Sequence, residues 1–134
     1  WLADARYEGE RYSSIAGNTA TSVSGNRLPY APEYLANVAL GWARGGLSLQ
    51  IEGNYQSEVY TDDLNTVAIV ANGQRGRIGG YTVWNLTTTY DVGASLALFA
   101  SVKNLGDKLY VADMSRGLIP GMARAAQVGA TWRF

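Results

Sequence analysis

Leu47-Ser48-Leu49-Gln50-Ile51-Glu52-Gly53-Asn54-Tyr55-Gln56 alternates without a break. Leu47, Leu49, Ile51, Gly53 and Tyr55 fall on one face; Ser48, Gln50, Glu52, Asn54 and Gln56, all polar, fall on the other. A period of two describes a strand with one face in an apolar medium and the other in a polar one. The pattern continues in both directions. Upstream, Tyr34, Ala36, Val38, Leu40 and Trp42 oppose a small, partly polar set that includes Asn37, Ala39, Gly41 and Ala43, and Arg44-Gly45-Gly46 separates the two runs as a tight turn. Downstream, Trp84, Leu86, Thr88 and Tyr90 oppose Val83, Asn85, Thr87 and Thr89, with a short turn expected at Asp91-Val92-Gly93. Leu96, Leu98, Ala100 and Val102 then oppose Ala97, Phe99, Ser101 and Lys103, and Ala126, Val128, Ala130, Trp132 and Phe134 oppose Gln127, Gly129, Thr131 and Arg133. A weaker run, Trp1, Ala3, Ala5 and Tyr7 against Asp4, Arg6 and Glu8, opens the chain. The prediction is six strands.

Their connections alternate in length: long at 13–32, 57–80 and 105–121, short at 44–46 and 91–93. A water-soluble sandwich has half-buried strands of the same kind, but nothing in it demands this alternation. A transmembrane β-barrel does, with short turns on the periplasmic side and long loops outside. The aromatic residues fit a membrane. Tyr34 and Trp42 end one apolar face about 26 Å apart at the strand rise; a tilt of ~40° reduces this to about 20 Å, comparable with an apolar band of ~25 Å. Trp84 and Tyr90 repeat the arrangement, and Tyr55, Trp132 and Phe134 complete the expected interface aromatics, whose rings sit at headgroup level. The apolar faces carry no charge. The expected fold is therefore all-β, an antiparallel up-and-down transmembrane barrel wall over residues 1–134, with Phe134 and the short turns at the periplasmic rim.

Composition narrows the chemistry. In 134 residues there is no cysteine and no histidine, and 11 basic side chains balance 11 acidic ones. Disulfides, thiol nucleophiles, Cys/His zinc sites and histidine-based triads are excluded. A neutral balance argues against a nucleic-acid partner, which calls for a basic face. Charged residues make up 16%, below the ~25% of an ordinary soluble domain. Trp1-Leu2-Ala3-Asp4 lacks the basic start and apolar core of a cleavable leader, and Trp1 already lies in a strand-like run, so the sequence is expected to begin inside a longer chain.

Five segments carry a family resemblance. Gln127 to Phe134 resembles the closing strand of bacterial outer-membrane proteins, with its terminal aromatic. Asn104-Leu105-Gly106-Asp107-Lys108-Leu109-Tyr110 resembles the NLFDKxY segment of TonB-dependent receptors, with Gly106 where an aromatic is usual. Gly25-Asn26-Arg27-Leu28-Pro29-Tyr30-Ala31-Pro32 is similar to their GNRxPxxP strand entry, and Gly79-Gly80-Tyr81-Thr82-Val83-Trp84-Asn85 to their PGYxxWN strand start. Gly121-Met122-Ala123-Arg124 resembles the Pro-Arg entry to the final strand, with Ala123 in place of proline. Order and spacing match across residues 25–134. Tyr60-Thr61-Asp62 with Asn65-Thr66 is most similar to ferric-citrate-type siderophore receptors. The resemblance implies about six C-terminal strands of a roughly 22-stranded barrel. It also implies an N-terminal plug domain and TonB-contacting region outside this sequence, TonB-dependent uptake of a ferric siderophore in the bacterial outer membrane, contact with outer-membrane lipid, and reading of Phe134 by the barrel-assembly machinery. Heme, cobalamin or sugar receptors, a porin or a translocator share enough of this architecture to stand as alternatives, and a soluble β-sandwich binding module is the remaining one.

No catalytic residue, metal site or cofactor is expected. Asp62-Asp63 reads as a solvated loop tip, since calcium takes six to eight oxygens, and the glycines of 73–80 match no phosphate-loop spacing. Binding is the better-supported chemistry. Ferric carboxylate chelates are oxygen-rich and anionic, and the planar arginine fork bonds carboxylates bidentately. The candidate ligand residues are Arg75, Arg77 and Arg116 with Tyr60, Asn72 and Gln74 in the outer loops; Arg27 lies near a strand entry. Lumen-face residues such as Glu52, Asn54, Asn85 and Lys103 are expected to meet the plug. Asn104 and Asp107 are expected to shape a strand exit.

Overall fold

The computed structural model describes residues 1–134 and contains nine strands: β1 Leu35–Arg44, β2 Leu47–Gln56, β3 Val59–Tyr60, β4 Arg77–Ile78, β5 Tyr81–Val92, β6 Leu96–Lys103, β7 Val111–Asp113, β8 Ile119–Pro120 and β9 Ala125–Trp132. The five long strands form one sheet in the order β1-β2-β5-β6-β9, an up-and-down meander. They run 8–12 residues, close to the ~9–11 that a tilted strand needs to cross a bilayer.

The register keeps the predicted faces together. Thr88 pairs with Ala100 and Tyr90 with Leu98 between β5 and β6; Leu98 pairs with Ala130 and Ala100 with Val128 between β6 and β9. Because the side-chain period is two, one residue of slip would exchange the apolar and polar faces. β1 and β2 join through Gly45 and Gly46, both at positive φ (57° and 81°), as a two-residue turn with the twist of its flanking strands requires. The Asp91 N–H donates to the Gly46 carbonyl at 2.9 Å, stitching this turn to the end of β5. β5 continues through Val92, so the second short turn falls at Gly93–Ser95, slightly beyond its predicted place.

Glycine also makes room for rings. A methyl on Gly53 would come within 2.6 Å of the Trp84 ring, and Phe99 lies over its register partner Gly129. A strand glycine has no side chain to pack, and the neighbouring aromatic fills that gap.

The chain divides into two compact units, residues 36–55, 82–109 and 122–134 forming the sheet unit, and residues 1–35, 56–81 and 110–121 the loop unit. In the sheet unit the apolar face is open: Leu40 is 67%, Leu98 42% and Val128 80% exposed. A sandwich would lay a second sheet across it. The fully buried apolar side chains, Val23, Val59, Ile78 and Met114, all belong to the loop unit. There, β3 pairs with β4 (Val59 with Ile78, Tyr60 with Arg77) and β7 with β8, and Val111 packs against Val59, Ile78 and Met114.

Five of the six expected strands thus lie in the sheet, and the opening segment departs from the prediction. It runs antiparallel to residues 25–35 as an interrupted ladder. Trp1 and Leu35 exchange hydrogen bonds, and Ala3 donates to Glu33, whereas Ala5 accepts from Leu28 and Tyr7 donates to Asn26. The register slips across Pro29–Pro32. Two prolines without an N–H, and Tyr30 at φ 56°, break the partner strand.

Candidate functional site

The long loops that follow β2 and β6 carry the predicted ligand residues. Residues 67–78 double back as a hairpin: the Arg77 N–H donates to Val67 O at 3.2 Å, Val70 N–H to Arg75 O at 3.0 Å, and Gly73 N–H to Val70 O at 2.8 Å. Thr61 fixes its base, donating from Oγ1 to Gly76 O at 2.9 Å and accepting the Gly76 N–H at 3.0 Å. At the tip Asn72 accepts the Gln74 N–H through Oδ1 (3.0 Å) and donates to Gln74 Oε1 (3.1 Å), an Asx-type closure. The second loop is held by Asp113, whose Oδ1 accepts the N–H groups of Met114 and Ser115. The two loops meet: a Cβ on Gly73 would lie 3.3 Å from the Leu118 nitrogen, and one on Gly117 3.9 Å from Asn72 O.

The structure therefore brings Asn72, Gln74, Arg75 and Arg116 onto two touching loops. The other two candidates, Tyr60 and Arg77, pair with each other across β3 and β4 at the base of the 67–78 hairpin, and each has a partner within the chain. Tyr60 has the Arg27 guanidinium 5.5 Å from its ring centre, and Arg77 pairs with Glu58 at 3.1 Å. Arg27 itself is 8% exposed; it donates to Ala31 O and Glu58 O and pairs with Glu33 at 3.5 Å. A buried arginine paired in this way organises the loops.

Asp62-Asp63 departs from its reading as a solvated tip, for both are buried. Asp63 accepts from the Ser13 hydroxyl (2.8 Å), the Ser14 N–H (2.6 Å) and the Ser14 hydroxyl (3.0 Å). Burial pushes its carboxyl up, but these donors outweigh burial and hold it below the ordinary carboxylate value. Asp62 Oδ1 accepts the Thr66 N–H. Asn65, at φ 53°, exchanges hydrogen bonds with the Arg27 backbone, accepting its N–H and donating to its carbonyl at 2.8 Å each. The segment 61–66 is thus a polar knot that ties residues 13–27 to the loop after β2.

Asn104 and Asp107 do shape a strand exit. Asn104 is 2% exposed. Its Nδ2 donates to Lys108 O (3.0 Å) and Met122 O (2.8 Å), its Oδ1 accepts the Lys108 N–H (2.8 Å), and its own N–H donates to Asn85 Oδ1 (3.1 Å). Asp107 accepts the Arg124 N–H at 3.0 Å. Asn85, predicted to meet the plug, accepts the Asn104 N–H through its Oδ1. On the same polar face, Asn54 accepts from Asn37 and donates to Glu52 Oε1 at 2.8 Å.

The aromatics fall at two levels of the strands. Trp42, Tyr90 and Trp132 lie toward the short turns, with Phe134 beyond β9; Tyr34, Tyr55 and Trp84 lie toward the long connections. All seven are exposed, Trp84 least at 41%.

Comparison with known proteins agrees with this geometry. Residues 1–105 match the family model described as TonB dependent receptor-like, beta-barrel. Among solved structures, the ferric citrate transporter FecA in its unliganded form is similar at 28% identity and a TM-score of 0.72, covering 81% of this chain and 18% of that one. The siderophore receptor PiuA from Acinetobacter baumannii (20% identity, TM-score 0.71, 90% of this chain and 17% of that one) and the ferric-catecholate import receptor Fiu from E. coli K12 (23%, 0.67, 95% and 17%) share the fold. The chain spans less than a fifth of the length of each.

Proposed function

The chain belongs to the TonB dependent receptor-like β-barrel family, and from that premise we propose that it forms wall and outer loops of an outer-membrane receptor for TonB-dependent uptake of a ferric siderophore chelate. Its place in the bacterial outer membrane follows from the family's. In this reading the open apolar face meets lipid, the polar face meets the receptor's plug domain, TonB acts on regions outside these strands, and Phe134 is read by the barrel-assembly machinery. The long loops face outward, with Arg75, Arg116, Asn72 and Gln74 presented to the chelate. The observation that carries the cargo assignment is the sequence likeness to the ferric citrate transporter, joined to free arginines on touching outer loops. Nothing catalytic is asked of this segment; its task is to bind and to enclose.

The test is transport of radiolabelled iron by iron-starved cells that depend on the full-length receptor. Ferric citrate and ferric hydroxamate chelates are the probes. Uptake should require TonB, and Arg75→Gln with Arg116→Gln should raise the half-maximal chelate concentration at least about tenfold, the loss expected when one charge-assisted hydrogen bond of ~1.5 kcal/mol is removed. No TonB-dependent uptake of either chelate overturns the assignment. Deleting residues 72–79 is a poorer test, because it also removes Ile78, which is 2% exposed in the small core of the loop unit.

A further inference from the structure

The loop unit holds eight carboxylates and six arginines, with no lysine. With carboxylates in surplus, only half of the arginines find one: Arg6 pairs with Asp4 and Glu33, Arg27 with Glu33, and Arg77 with Glu58. Arg11, Arg75 and Arg116 have no carboxylate oxygen within 4.0 Å. The last two belong to the touching loops, close in sequence to the Gly73–Leu118 contact.

The same two loops expose apolar side chains. Val67 is 56%, Ile69 51%, Leu118 53% and Ile119 40% exposed. A Cβ on Gly76 would lie 2.9 Å from the Ile69 Cα, and one on Gly73 3.3 Å from the Leu118 nitrogen, so the backbone packs closely at both. A hydrophilic tricarboxylate would use the guanidinium groups and leave this apolar surface in water. Exposed apolar side chains on the same two touching loops as guanidinium groups without a carboxylate partner complement an amphiphile with an oxyanion head.

Resting on the receptor reading above, we propose that these loops select a ferric carboxylate chelate bearing an acyl arm, with Arg75 and Arg116 on the oxygen-rich head and Ile69 and Leu118 against the arm. Charge complementarity commits these loops to a dissolved chelate of this class.

The experiment uses the full-length receptor in iron-starved cells and two ferric chelates built on one citrate–hydroxamate head, the first with a ten-carbon acyl arm and the second with acetyl in its place. The wild type should take up the acyl chelate at about tenfold lower concentration. Ile69→Ser with Leu118→Ser should abolish that preference while leaving uptake of the acetyl chelate unchanged. Arg75→Gln with Arg116→Gln should weaken both equally. If the double serine variant does not reach the outer membrane, Ile69→Thr and Leu118→Thr taken singly make the same comparison. Equal uptake of the two chelates by the wild type, or equal losses of both in the serine variant, overturns the selection and leaves the receptor assignment standing. Absence of TonB-dependent uptake of both chelates and of ferric citrate overturns the receptor assignment itself.

Discussion

Asn104 combines a left-handed backbone, φ 50°, with an amide whose oxygen and nitrogen are both committed to the main chain of the loop it opens. Asparagine tolerates that conformation better than most residues because its short side chain bonds locally. Alanine would keep the awkward φ and strand the Lys108 N–H and the Lys108 and Met122 carbonyls. A polar group left unpaired costs ~1–3 kcal/mol when buried; because these three are only part-buried, Asn104→Ala is expected to destabilise the full-length receptor by about 3 kcal/mol, ~1 for each, read from guanidinium unfolding in micelles followed by tryptophan fluorescence. A change below ~0.5 kcal/mol, the range of ordinary surface substitutions, would show that the clasp is idle. Asn104 was legible in the sequence through its local partner Lys108, four residues on, whereas its bonds to Met122 and Asn85, 18 and 19 residues away, were not. Asp63 was not: its partners Ser13 and Ser14 lie 50 and 49 residues away, and two adjacent acids without neighbouring cations read naturally as a wet loop. The cation over the Tyr60 ring was not legible for a similar reason, since Arg27 reaches it from a distant segment.

Among the elements, the long strands announced themselves through alternation, and their register followed from the need to keep one face apolar. The opening strand was overread because its own alternation is genuine, while the interruption comes from Pro29 and Pro32 in the segment it runs beside. The hairpin at 67–78 carried no clear periodicity; it is built from backbone pairing and from Thr61, which no local pattern reveals. The knot at 61–66 makes a prediction at this scale. The Asp63 carboxyl binds its proton less readily in the folded loop than in the unfolded chain, so the unfolded chain takes up protons first as the pH falls. Its contribution to stability is complete above the ordinary carboxylate value, about pH 4, and is lost as the pH falls through the lower native value. Asp63→Asn cannot ionise. The difference in Tm between wild type and this variant should therefore be constant from pH 7 to 5 and shrink below about pH 4. A difference that stays flat down to pH 2 would mean that the serine donors do not favour the charged form.

At the scale of the whole molecule, burial is distributed in an unusual way. The loop unit buries Val59, Ile78 and Met114, while the sheet unit, with longer strands and a continuous apolar face, leaves Leu40, Leu98 and Val128 open. In water such a face would be an aggregation surface; in a bilayer it is the ordinary outer wall of a barrel whose backbone is paired strand to strand. Polar residues on alternate positions and aromatic rings toward both ends of the strands are consistent with the same medium. The direct measurement is accessibility of single spin labels on the full-length receptor in bilayers, at positions 40, 98 and 128 on one face and at 97, 101 and 127 on the other. The account predicts strong relaxation by oxygen and little by a nickel chelate at 40, 98 and 128, with weaker oxygen relaxation at 97, 101 and 127. Labels at 40, 98 and 128 that are shielded from oxygen, or that respond to the nickel chelate, would contradict a lipid-facing wall.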